Sequence, residues 1–161
     1  MLKVQNQHLH LTSDKNELDS FNHKISAVAC FVEAEQKILL LRTDNEHKFQ
    51  NKVWGVPGGK LEAGETPIEA AVRELQEETG LKLNSDQLEF VIKLYVRAKE
   101  LDYEFFIYKS NLSIPIKTSK IVIDAKEHND FVWLSPKEAL TLELIYGEKE
   151  LIEFIYPQLL A

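Results

Sequence analysis

Apolar residues gather in short, dense runs early in the chain. Residues 25–31 (ISAVACF) and 37–43 (KILLLRT) are apolar at nearly every position, with EAEQ between them. That pattern predicts two strands of a hairpin, each covered on both faces. VWGVPGG follows, and its Pro57, Gly58 and Gly59 end any regular element. Residues 88–96 and 103–108 predict a second hairpin across RAKELD, and residues 121–123 and 131–134 read as shorter strand pieces.

The period then changes. Over residues 67–79 the local signals are those of a helix. Thr66 is a good N-cap, Pro67 takes the first helical position and Glu69 completes a capping box. Gly80 stands where a left-handed C-terminal cap is wanted. A second helix is predicted from Ser135, with Pro136 and Glu138 repeating the same signature, and a third within GEKELIEFIYPQLL. Strands first, one helix in mid-chain and helices last predict an α/β fold, a mixed β-sheet layered between helices as an α/β/α sandwich.

Composition narrows the possibilities. The 161 residues suit a single domain, 1–161, in which residues 1–23 form an N-terminal extension whose sequence leaves an added strand, a dimer arm or a lid open. No apolar run is long enough for a membrane span, and the first residues lack a signal-peptide core, so the expected location is cytoplasmic. The single cysteine, Cys30, lies in an apolar run and is expected in the core. A net charge of −7 argues against broad nucleic-acid binding but leaves room for a small phosphorylated ligand, because a bound cation can invert the local sign. Nothing in the sequence fixes the oligomeric state, with a homodimer as one option.

The charge is not evenly spread. Residues 58–81 hold six glutamates against two basic residues. On the predicted helix Glu74, Glu77 and Glu78 fall within one arc of about 100°. Ala70 and Ala71 lie under that arc and are expected to leave room beside it, while Ile68, Val72 and Leu75 form the stripe expected to dock on the sheet. Acidic helix faces are commonly just solvated. Here, however, like charges at i, i+3 and i+4 destabilise by about 0.2–0.5 kcal/mol per pair. They also sit at the C-terminal half, where the helix dipole disfavours acids, and no Lys or Arg on the following turn answers them. A hard divalent cation would.

Gly59, Glu65 and RELQEETGL (residues 73–81) have the spacing of the Nudix box without a departure, nine specified positions over 23 residues. The wider resemblance runs over residues 25–140. The resemblance implies a Nudix-like α/β/α sandwich that hydrolyses a pyrophosphate bond in a nucleoside diphosphate linked to another moiety, with Mg²⁺ or Mn²⁺ bound at the box. It makes Glu74, Glu77 and Glu78 carboxylate ligands, one of them, such as Glu74, alternatively a base towards water. The Gly59 carbonyl is implied as a further ligand, and Glu65 with Arg73 as the pair that ties loop to helix. Such an arrangement accepts a pyrophosphate only through intervening cations, which neutralise and polarise it.

Outside the box the resemblance implies a further acid in the loop before a tryptophan-bearing strand. Glu127 is in that place, with a solvated loop acid as the ordinary alternative. Glu104 is the competing candidate, sharing a strand face with Phe106 and Tyr108. Trp54 and Phe49 are candidates for stacking a base, core packing being their commoner use. His128 is read as a loop residue, with a contact to phosphate as the alternative, and His8 and His10 as surface positions on an edge strand. Markers of ADP-ribose, dinucleoside-polyphosphate, coenzyme A and NADH hydrolases are not seen after the box. By elimination the substrate is a nucleoside or deoxynucleoside triphosphate, ordinary or oxidised. The alternatives are a nucleotide sugar or ADP-ribose, an RNA end, and a non-catalytic nucleotide-binding module.

Overall fold

The computed structural model describes residues 1–46, 50–99 and 101–160. Nine strands form one mixed sheet. They are β1 (Lys3–Gln5), β2 (His10–Thr12), β3 (Ile25–Ala34), β4 (Lys37–Thr43), β5 (Trp54–Gly55), β6 (Gly58–Lys60), β7 (Glu89–Ala98), β8 (Leu101–Asn111) and β9 (His128–Leu134). The order is β1-β2-β7-β8-β3-β4-β5, with β6 also on β3 and β9 also on β4. Only β3 and β8 pair in parallel among these strands. Helix α1 (Pro67–Thr79) covers one face, and α2 (Pro136–Ala139) and α3 (Glu148–Ile155) belong to the other, giving the α/β/α sandwich expected.

Alternation along the strands builds the two cores. Val28, Cys30 and Val32 of β3 with Leu39 and Leu41 of β4 meet Ala70, Ala71 and Leu75 of α1. The intervening Ala29, Phe31, Ile38 and Leu40 meet Ala139, Leu151, Ile152 and Tyr156 on the opposite face. Cys30 is a core residue, and burial pushes its thiol up to about 12.

Several expectations need correction. The first hairpin turns on two residues, Glu35 and Gln36, both at positive φ, so β3 runs on to Ala34. That geometry matches the right-handed twist of the flanking strands. Residues 121–123 are not a strand: Val122 N–H instead caps the Thr79 carbonyl at the end of α1 (2.9 Å), while Ile121 and Ile123 pack on the core. Ala70 and Ala71 do not open space beside the acidic arc. They are buried in the core between α1 and the sheet, at 0% and 1% exposure, and their small side chains let the helix approach.

Residues before 23 are built into the sheet through β1 and β2 rather than standing off as an arm. Leu9 and Leu11 are buried in the α3-side core, and Asn22 N–H bonds Asp102 (2.8 Å) at the β7–β8 hairpin. His8 and His10 are half-buried instead of surface residues, because Leu9 and Leu11 carry their strand inwards; His8 stacks on Tyr146 at 4.1 Å.

Candidate active site

The signals that predict α1 are all present. Thr66 and Glu69 exchange the two capping-box bonds, and Gly80 takes the left-handed C-cap at φ 76°. The helix therefore starts and stops where the sequence sets it, and its register aims Glu74 and Glu78 at the loop containing β6.

Burial separates the three glutamates. Glu78 is 6% exposed, Glu74 is half-buried, and the Glu77 side chain is 54% exposed. Glu78 Oε1 accepts the Gly58 amide at 2.8 Å, and its Oε2 lies 3.5 Å from His128 Nε2. Glu74 lies directly over Gly59: a Cβ on that glycine would come within 2.4 Å of the carboxylate. Gly58 is pressed against β3, where a Cβ would meet the Val28 carbonyl oxygen at 2.3 Å. Both glycines thus sit at close approaches, Gly59 to the end of a side chain and Gly58 to backbone that cannot give way.

Arg73 binds the loop to the helix. Its Nε and Nη2 engage both oxygens of Glu65 (2.6 and 3.0 Å), and Nη2 also reaches the Lys60 carbonyl (3.0 Å). Glu65 in turn accepts the Glu62 amide at 2.8 Å. Glu65 holds the guanidinium well above the usual arginine range, with a smaller contribution from Glu74, and Arg73 holds Glu65 below the usual carboxylate range. Arg73 Nη1 also bonds Glu74 (2.8 Å) and Glu77 (3.0 Å). The acidic arc is therefore answered by a cation from its own preceding turn, which the sequence reading overlooked. One guanidinium against Glu65, Glu74, Glu77 and Glu78 still leaves an excess of negative charge.

Glu74 and Glu78 offer carboxylate oxygens beside Gly58 and Gly59, hard donors of the kind Mg²⁺ and Mn²⁺ take. Among the described residues no three His, Cys, Asp or Glu side chains already converge as a metal cage.

Glu127 lies in the turn just before β9. Its backbone carbonyl accepts the Asp44 amide (2.8 Å), and its side chain meets Asn45 Nδ2 at 3.4 Å. Glu104 is on the α1 face of the sheet but bonds Lys93 (2.7 Å), with His23 at 3.6 Å, and Lys93 lies over the rings of Tyr95 and Phe106. Trp54 packs on the opposite face with the α3-side core. Phe49 lies outside the described residues.

One residue was misread and another missed. His128 is not a loop residue: it is the buried first residue of β9, against Glu78. A bulge between Arg42 and Thr43 breaks the β4–β9 register and re-aims it. Glu148, 4% exposed, accepts the Val56 amide through Oε1 at 2.6 Å. An acid opening a helix is so ordinary that its sequence carried no warning.

The family model described as NUDIX domain matches residues 23–155. A CTP pyrophosphohydrolase of Escherichia coli (strain K12) is 31% identical over 129 residues, covering 80% of this chain and 89% of the relative. The solution structure of the E. coli ORF135 protein superposes with a TM-score of 0.67 at 27% identity, covering 88% of this chain and 94% of the other. The NUDIX domain of Shewanella oneidensis NrtR, solved in complex with ADP ribose, gives a TM-score of 0.69 at 21% identity, covering 91% and 93%.

Proposed function

The chain belongs to the Nudix family and is a pyrophosphohydrolase, and we propose that its substrate is a nucleoside or deoxynucleoside triphosphate, ordinary or oxidised. The observation that carries this reading is the pairing of an intact acidic helix face, with Glu78 buried against the Gly58 amide, and similarity over 80% of this chain to a CTP pyrophosphohydrolase.

On this reading Glu74, Glu77, Glu78 and the Gly59 carbonyl would hold a divalent cation, Mg²⁺ or Mn²⁺. Such a cation supplies charge neutralisation and polarisation of the phosphoryl oxygens. The protein's own share is positioning. Glu65 and Arg73 fix the loop on the helix. Glu78 holds Gly58, and His128 backs Glu78. The proton of the attacking water goes to Glu74, with Glu127 as the second candidate.

A cavity of about 330 Å³ lies between the N-terminal hairpin and the turn before α3, lined in part by His8, Leu9, Tyr103 and Tyr146. Its stacked His8 and Tyr146 rings and its size support a place for the nucleobase. Trp54 and Glu104 are then left with the core and with Lys93 respectively.

A second reading, hydrolysis of ADP-ribose or a nucleotide sugar, is favoured by one neighbour's complex with ADP ribose. The deciding experiment measures phosphate and pyrophosphate release from triphosphates, ADP-ribose, nucleotide sugars and dinucleotides at equal concentration, with Mg²⁺, with Mn²⁺ and with chelator. Metal-dependent turnover greatest on triphosphates is expected. Turnover concentrated on ADP-ribose or a nucleotide sugar would install the second reading, and tight binding without turnover would make the chain a nucleotide-binding module.

A further inference from the structure

We propose that Glu148 is a positioning residue for hydrolysis, fixing through the Val56 amide the loop that presents Gly58 and Gly59 to α1. The inference rests on the reading that this loop belongs to the active site.

The bond completes a backbone ladder. Trp54 N–H bonds the Glu143 carbonyl and Ile145 N–H bonds the Trp54 carbonyl, each at 2.9 Å, so residues 143–145 run alongside β5. Gly147 then turns the chain away at φ 90° to begin α3. The next amide of the loop, Val56, would lose its partner at that point, and the Glu148 carboxylate takes the vacated position at 2.6 Å. Two residues on, Gly58 N–H goes to Glu78 of α1, and between them the Pro57 carbonyl accepts Cys30 N–H at 2.9 Å. Carboxylates from helices on opposite faces of the sheet thus hold alternate amides of one short loop. An extended chain advances about 3.3 Å per residue, so the Val56 bond fixes the segment only two and three residues ahead of Gly58 and Gly59.

The carboxylate is the costly choice for this task. A buried amide can be satisfied by a neutral oxygen with a smaller desolvation penalty. What the charge adds is a shorter, stiffer, charge-assisted bond. Burial accordingly pushes Glu148 up to about 7, the Val56 amide partly offsetting it. Gly55 and Val56, which meet the carboxylate from the loop, carry no charge. The ionisable group that feels it is Tyr156, at the far end of α3, itself raised chiefly by burial and next by Glu33. Protonation below about 7 would replace the charge-assisted bond by a weaker neutral one, leaving an acid limb in activity that belongs to Glu148.

The test compares Glu148→Ala and Glu148→Gln with the parent chain. It reads kcat and KM for nucleoside triphosphates across pH, and hydrogen exchange at the Val56 amide by NMR. Glu148→Ala is expected to lower kcat about 10–100-fold, the range typical of removing an outer supporting bond, with KM changed much less and Val56 exchange accelerated. Glu148→Gln keeps an acceptor oxygen without the charge, so Val56 stays largely protected, activity above neutrality falls only to the level the parent shows with Glu148 protonated, and the acid limb near neutrality disappears. Should Glu148→Ala fail to fold, the pH profile of Glu148→Gln carries the test, and a retained limb overturns the proposal. Unchanged kcat and unchanged Val56 protection in Glu148→Ala would also overturn it. So would a KM increase confined to one nucleobase, which would make Glu148 a substrate contact. If the parent hydrolyses no triphosphate, the substrate reading fails, while Val56 exchange in Glu148→Ala still decides whether this bond holds the loop.

Discussion

Glu78 and Glu148 reach one loop from opposite sides of the sheet, Glu78 Oε1 on Gly58 N–H at 2.8 Å and Glu148 Oε1 on Val56 N–H at 2.6 Å. Both carboxylates are almost fully buried, at 6% and 4% exposure. Their distribution explains why a segment rich in glycine can act as a rigid platform. Its amides are assigned to fixed acceptors, so the loop does not need side-chain bulk to be ordered. Arg73 and Glu65 do the same for the following turn, where Glu62 N–H is held by the carboxylate that Arg73 grips.

Glu78→Gln isolates the chemical use of charge from its structural use. The amide oxygen can still accept Gly58 N–H, so unfolding stability should change by no more than about 1 kcal/mol. Activity should fall at least about 100-fold, roughly 2.7 kcal/mol of transition-state stabilisation. Thermal melts beside steady-state kinetics read both. Loss of folding together with activity would show that this acid is structural first.

Arg73→Ala should behave differently, because it unties Glu65, Glu74, Glu77 and the Lys60 carbonyl at once. Stability is expected to drop by roughly 1–3 kcal/mol as charge-assisted bonds are lost, and activity with it. Arg73→Lys should rescue little. An ammonium cannot reproduce the two-pronged contact with Glu65 while also bridging two further carboxylates. Denaturant titration of the three proteins checks this, and full rescue by lysine would reduce Arg73 to a point charge.

The two loop glycines make a contrasting pair. A Cβ at Gly58 meets backbone, the Val28 oxygen at 2.3 Å and Ala29 Cα at 3.0 Å, so neither partner can give way without opening the β3–β6 ladder. Gly58→Ala is expected to destabilise by about 1–3 kcal/mol. A Cβ at Gly59 meets only the end of the Glu74 side chain, which can swing aside. Gly59→Ala should therefore fold nearly normally and lose activity at least about 10-fold, by displacing Glu74 from its place. Equal stability losses in the two variants would refute the distinction.

How far such details could be read from the sequence depended on whether the signal was local. Helix α1 was legible to the residue because Thr66, Pro67, Glu69 and Gly80 act on their own neighbours. The acidic arc followed from that helix, and β3 and β4 from their apolar runs. His128 was not legible. Period-two reading back from Val132 and Leu134 places it on the α3 side, and the bulge beside Thr43 turns it instead to Glu78 on α1. Nor was Glu148, whose partner lies 92 residues away. The segment at 121–123 has strand composition but spends Val122 N–H on the end of α1, a tertiary choice that β propensity does not contain. Residues 3–12 hold only Val4, Leu9 and Leu11 as apolar positions, too few to separate paired strands from a free arm.

Glu148 also predicts an unusual pH dependence of stability. Its carboxyl has an ordinary value of 4.5 and is raised to about 7 in the folded chain, so between those limits the folded state holds a proton that the unfolded state has lost. Stability therefore falls as pH rises through that window, by roughly 3 kcal/mol at about 1.4 kcal/mol per pH unit. Glu65 works in the other direction: Arg73 depresses it, so its contribution is present above its unfolded value and disappears as pH falls through the lower folded one. Glu148→Gln removes the first contribution and leaves the second. It should match the parent near pH 5 and exceed it near pH 8, with the gap opening through neutrality. Denaturant midpoints at the two pH values measure this directly. Parallel curves would mean that Glu148 is already ionised without penalty, and that the Val56 bond alone does not require a buried acid.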